Sequence, residues 1–169
     1  MTIARLTRKI VLVVLGLVLL TLAVAWDSPP AGGMPMVRVS FGQHQVLAEA
    51  PVSPAQRLKG LGGRQNLAPG QGMLFIFAGR ALGMCMRDMK FPLDFVWLDQ
   101  GKVCQIDPNV PAGGERVTVR AKVPAQMVLE VPSGWAQEHG VYVGQEVRVD
   151  LVSGQLPESL AKVIGNNRT

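Results

Sequence analysis

The densest group of side chains able to do chemistry is Arg64, Arg87, Asp88, Lys90 and Asp94. Arginine and aspartate within reach of each other can hold a carboxylate or sugar-like ligand, because the guanidinium fork matches paired acceptor oxygens. The same residues also suit a structural network. Asp94 lies between apolar Leu93 and Phe95, where it would satisfy loop N–H groups or pair with an arginine. General acid–base chemistry asks for two carboxyl groups with separated pKa values, or a histidine in a pocket. Asp88, Asp94 and Glu130 are the available acids. Glu130, flanked by Leu129 and Val131, falls on one face of an apolar strand and could meet Arg64 or Arg87 there. His44 lies near a turn, and His139 ends a helix whose dipole it complements. No serine, cysteine or lysine stands in a nucleophile motif. No catalytic residue is assigned, and the balance leans away from an enzyme.

Sulfur offers a second chemistry. Met84, Cys85, Met86 and Met89, with Cys104, Met34 and Met36, are soft donors suited to Cu(I). In an extended strand Met84 and Met86 share a face while Cys85 points the other way, which divides the set. Methionine is also an ordinary core filler, so packing is the first reading and copper handling the alternative. Zinc lacks its ligands, with no CxxC and no close histidine pair. Neither a metal nor a cofactor is expected. Cys85 and Cys104 could pair in an oxidising compartment, where such a loop contributes about 3 kcal/mol. Two free thiols packed as small apolar groups remain equally open.

The compartment follows from the first 26 residues. Ile10 to Trp26 reads IVLVVLGLVLLTLAVAW without a charge, and Arg5, Arg8 and Lys9 precede it. As a helix this run rises about 25 Å, close to a ~30 Å hydrocarbon core. The basic cap places its start in the cytoplasm. Ala23-Val24-Ala25 is also a small-x-small triplet of the kind signal peptidase cuts after. An anchor is the favoured expectation and a cleaved signal peptide the alternative. Either one exports the remainder to the periplasmic side of the cytoplasmic membrane, with the membrane as a partner through this segment.

The net charge of +5 belongs largely to the same segment. Without its three basic residues, 14 basic face 12 acidic residues, leaving +2. That is no footprint for nucleic acid, which needs clustered lysine and arginine against several phosphates.

The elements that must position the polar residues are short. Residues 27–35, DSPPAGGMP, form a Pro/Gly linker. A globular β-rich domain is expected over residues 36–152. It starts with strands at Met36 to Phe41 and His44 to Ala50. Ser53-Pro54 opens a short helix as N-cap and first helical residue. Further strands are expected at Met73 to Phe77, Leu82 to Arg87 and Phe95 to Leu98, the last turning at Asp99-Gln100-Gly101 into Lys102 to Ile106. A loop over Asp107 to Glu115 precedes strands at Arg116 to Val119 and Ala125 to Val131. Ser133 is expected to cap a second short helix, and Gln145 to Val152 to close the domain. Residues 153–169 read as a polar tail with a helical turn or two around Glu158 to Ile164. Many short strands without regular βαβ alternation imply α+β, a mainly antiparallel, curled or barrel-like sheet with two short helices, preceded by the N-terminal hydrophobic helix.

Four segments carry a family resemblance: AQRLKGLGGRQNL, GMLFIF, MCMRDMKFPLDFVWLD and VLEVPSGWAQEHGVYVGQEV. In that order, from Leu47 to Val149, the chain resembles the domain-of-unknown-function family 192, also described as an uncharacterised membrane protein family. Pro92-Leu93-Asp94 matches its pattern well. Met84 and Cys85 stand where the family commonly has an aromatic pair, and Leu61-Gly62-Gly63-Arg64 lacks its usual methionine. The resemblance implies one compact β-rich domain, often exported behind a signal or anchor, and brings no catalytic residue. The expected role is a membrane-anchored cell-envelope binding or accessory module, for a small polar ligand or an envelope protein. A small envelope enzyme using the Asp/Arg set and a copper-handling protein are the alternatives.

Overall fold

The computed structural model describes residues 33–113 and 118–165. The expected hydrophobic helix falls on Ile10 to Trp26, outside the described residues; among the described residues no helix is long and apolar enough to cross a membrane.

Among the described residues nine strands and three helices follow one another as β1 (Met36–Phe41), β2 (His44–Glu49), α1 (Pro54–Lys59), β3 (Gln71–Ile76), β4 (Gly83–Cys85), β5 (Leu93–Asp99), β6 (Lys102–Val110), β7 (Thr118–Arg120), β8 (Met127–Pro132), α2 (Trp135–Glu138), β9 (Arg148–Ser153) and α3 (Glu158–Gly165). Seven strands form one sheet in the order β6-β5-β8-β3-β2-β1-β9, and β4 pairs with β7 apart from it. The fold is thus α+β and mostly sheet, but two expectations need correction. The large sheet is mixed, because β2 and β3 run parallel. Parallel neighbours need a crossover, and α1 lies within it. The sheet is also not a closed barrel. Its edge strands β6 and β9 do not pair; β6 instead bonds the segment ahead of β9, where Lys102 bridges Glu146 and Val103 exchanges backbone hydrogen bonds with Gly144 and Gln145.

Local chemistry explains the first helix. Ser53 accepts from the Gln56 backbone N–H, and the Gln56 side chain accepts from the Ser53 N–H, with Pro54 at the start. This reciprocal capping satisfies two amides that the helix leaves unpaired. β6 overruns its expected end through Asp107-Pro108-Asn109. As an edge strand it loses no ladder bond to the missing proline N–H. Asn109, at φ 53°, sits where the β5–β6 register slips.

The central strands are buried on both faces. Leu74, Ile76, Val96, Leu98, Leu129 and Val131 join one cluster with Phe41, Trp135 and residues of β1 and β9. Leu160, Val163 and Ile164 of α3 pack into the same cluster. The opposite parity, Met73, Phe75, Phe95, Trp97 and Val128, packs beneath Leu61, Met86 and Met89. Glu130 shares that second parity on β8. It is the only acid on that strand.

Candidate ligand-binding site

Glu130 lies opposite Met73 of β3 and Phe95 of β5. Leu129 and Val131 point away from it into the first cluster, so strand alternation alone delivers the carboxyl to this face. A cover rises over it from two loops. The end of α1 continues through Gly60, Leu61 and Gly62, and β4 continues into a turn at Arg87-Asp88. The two are clasped by a hydrogen bond from the Gly63 N–H to the Asp88 carbonyl at 2.9 Å. Gly62 makes the clasp possible: a Cβ there would lie 2.8 Å from the Lys59 carbonyl oxygen and 3.2 Å from that of Arg87.

Between cover and sheet lies a cavity of about 210 Å³. Its walls are apolar, from Leu61, Phe75, Phe77, Met84 and Met89, and Arg57, Lys59, Cys85 and Arg87 also line it. Arg57 is anchored, donating to the Ile76 carbonyl at 2.7 Å and lying 5.4 Å over the Phe77 ring. Burial lowers its pKa from the ordinary guanidinium value.

Glu130 is only 4% exposed. No hydrogen bond or ion pair joins its carboxyl to a described residue, and its oxygens open onto the cavity instead. Removal from water with no compensating charge pushes its pKa up from 4.5 to about 8. At neutral pH the cavity therefore holds a neutral carboxylic acid. Such a group can donate one hydrogen bond and accept others.

The remaining residues of the expected polar cluster do not gather here. Arg64 forms a two-pronged pair with Glu49, at 2.7 and 2.8 Å, so it does not meet Glu130. That pairing raises the Arg64 pKa. Arg87 shares the cavity with Glu130 but makes no ion pair with it, while Asp88 and Lys90 are exposed beside it. Asp94 is fully buried and architectural: it accepts from the N–H groups of Asn109 (2.9 Å), Gly134 (3.0 Å) and Ala136 (3.0 Å). It thereby caps α2, correcting the role expected of Ser133, whose hydroxyl bonds Asn109 instead. Among Arg64, Arg87, Asp88, Asp94 and Glu130 no carboxylate–arginine ion pair forms.

The sulfur set is dispersed as well. Met86 is wholly buried in the core, whereas Met84, Cys85 and Met89 border the cavity. Cys85 and Cys104 do not form the disulfide considered above. They are free thiols on separate sheets, Cys85 exposed on β4 and Cys104 half-buried on β6. Burial, with Asp99 nearby, raises the Cys104 pKa to about 11. The histidines meet elsewhere. The His44 and His139 rings are 4.9 Å apart, and His139 stacks on Trp135 while its Nδ1 lies 2.8 Å from the Trp135 carbonyl.

Sequence reasoning named Glu130 but sought it a charged partner, and it missed Arg57, Phe77 and Met89 as neighbours. The available signal was a lone acid inside MVLEVP, an apolar strand.

Two solved structures share the fold. One, from Sinorhizobium meliloti and described as a candidate transcription regulator, is 29% identical, with a TM-score of 0.61 over 68% of this chain and 92% of that one. The other, a protein of unknown function from Novosphingobium aromaticivorans, is 28% identical, with a TM-score of 0.62 over 71% and 89%. No curated protein matches. The family model for DUF192, described as "Uncharacterized ACR, COG1430", matches residues 37–149, which hold every strand from the first hairpin into β9 together with Glu130 and its cover, and the chain belongs to that family.

Proposed function

We propose that this domain is a small-molecule binding module, and that the Glu130 cavity is its binding site. The observation that carries this reading is the buried Glu130 carboxyl, without a partner among the described residues, opening onto an apolar chamber. An acid in such surroundings costs stability unless something else requires it. A dry cavity of ~150 Å³ accommodates benzene, and drug-sized ligands occupy ~300 Å³ or more. A chamber of about 210 Å³ therefore suits a body of one ring or a short branched chain, with one polar atom meeting Glu130. Phenol is the matching probe. It should bind the full chain in ligand-observed NMR, and Met89→Trp, which fills the chamber, should abolish the signal. Equal binding by that variant would remove the cavity from the account.

The module is proposed to work at the cell envelope, exported and anchored through Ile10 to Trp26. The support is the uncharged run behind Arg5, Arg8 and Lys9. Fractionation with N-terminal sequencing should find intact Met1 in membranes, whereas a mature chain starting at Trp26 would mean cleavage. The regulator label belongs to the Sinorhizobium protein. The charge balance of +2 beyond the first nine residues gives it no support here.

An enzyme is the second reading, and one observation favours it. A carboxyl with a pKa near 8 can take up or release a proton at neutral pH, as a general acid or base must. Asp94, committed to three backbone N–H groups, is not available as its proton-transfer partner.

A further inference from the structure

The charges around the cavity are of one sign. Lys59 and Arg87 are exposed, and Arg57 is fixed by the Ile76 carbonyl and the Phe77 ring. Glu130 is the only acid lining the cavity among the described residues. Asp88 adjoins Arg87 in the turn, but it does not line the chamber.

Resting on the binding reading above, we infer that the site selects small organic acids: the apolar body enters the chamber, and the anionic group stays at the mouth against Arg87 and Lys59. Both are free to turn toward a ligand, because neither has a carboxylate partner among the described residues. This separates them from Arg64, whose guanidinium is occupied by Glu49. A guanidinium and an ammonium together hold a carboxylate through charge-assisted hydrogen bonds. The floor does not oppose this choice. Burial keeps Glu130 protonated through neutral pH, so no negative charge repels the entering anion. A cationic ligand would face three positive groups before reaching an uncharged acid.

The groups facing Glu130 are Arg57 and Lys59 from α1 and Cys85 and Arg87 from β4 and its turn. On the sheet side its cross-strand neighbours, Met73 and Phe95, do not titrate.

The test compares matched probes on the full chain: phenol, 4-hydroxybenzoate and 4-hydroxybenzamidine, titrated at pH 7 and low salt. The anion should bind at least tenfold tighter than the amidine. Joint substitution of Arg87→Ala and Lys59→Ala should weaken the anion about tenfold and leave phenol unchanged, at an unaltered melting temperature. Raising the pH to 8.5, above the Glu130 value of about 8 but below the ionisation of the probe's phenol, should weaken the anion in the wild type. Glu130→Gln should bind it equally at both pH values, with Cys85→Ser as the control for thiol ionisation. Phenol binding with the amidine equal to or tighter than the anion would overturn the acid-selective inference and leave the binding site standing. Unchanged anion affinity in the double variant would overturn it in the same way. Failure of all three probes would overturn both.

Discussion

Replacing Glu130 by glutamine keeps the shape of the cavity floor and removes its ability to ionise, so the two proteins should diverge in stability as pH rises. The folded carboxyl titrates at about 8 against an ordinary value of 4.5. Below pH 4.5 folded and unfolded chains both hold the proton, and the acid contributes no pH dependence. Between 4.5 and 8 the unfolded chain releases the proton and the folded one retains it. Each pH unit then costs the wild type about 1.4 kcal/mol, reaching about 3 kcal/mol at pH 7 and a ceiling of about 5 kcal/mol above pH 8. Stability is thus lost as pH rises, opposite to a salt-bridged carboxylate, and Glu130→Gln escapes the loss. Urea unfolding of both proteins at pH 5, 7 and 9, followed through buried Trp97 and Trp135, measures the difference while other titrations cancel. A gap between the two that widens by several kcal/mol from pH 5 to 9 is expected. Parallel profiles would refute the claim that the folded acid is neutral.

Other consequences are open to measurement. Asp94→Ala strands three backbone N–H groups, two at the start of α2 and one in β6, and should cost about 3 kcal/mol or more, read as a lowered melting temperature. An unchanged melting temperature would remove its capping role. Arg64→Ala breaks a half-exposed pair and should cost only about 1 kcal/mol in urea unfolding, and a loss several times larger would mean Arg64 does more than hold Glu49. Thiol labelling at pH 8 should modify exposed Cys85 quickly and half-buried Cys104 slowly, and a Cys85–Cys104 linked peptide under non-reducing conditions would contradict the pairing state seen here.

Much of the architecture was legible because it is local. The β1–β2 hairpin alternates Val37, Val39 and Phe41 inward, and the Ser53-Pro54 start of α1 carries its capping signal within four residues. What failed was long-range. The cap of α2 comes from Asp94, some forty residues upstream, so adjacent Ser133 looked like the better donor of that function. β6 continues through Pro108 because it is an edge strand, a status that only the assembled sheet confers. Arg64 finds Glu49 across the fold at no periodic spacing. The cavity itself is built where two loops distant in sequence, at Gly62 and Asp88, close over β8. Glu130 could be noticed as an acid in an apolar strand. Its lack of a partner is a property of the packed sheet.

Carbon-13 titration of the Glu130 side-chain carboxyl in the full chain, with and without 4-hydroxybenzoate, tests the account most directly. A neutral acid at the floor of a ligand cavity should titrate near pH 8 when free, and higher when the anion is bound, since a ligand favouring the protonated form retains the proton. A midpoint near 4.5 that the ligand does not move would contradict both the neutral floor and the site built on it.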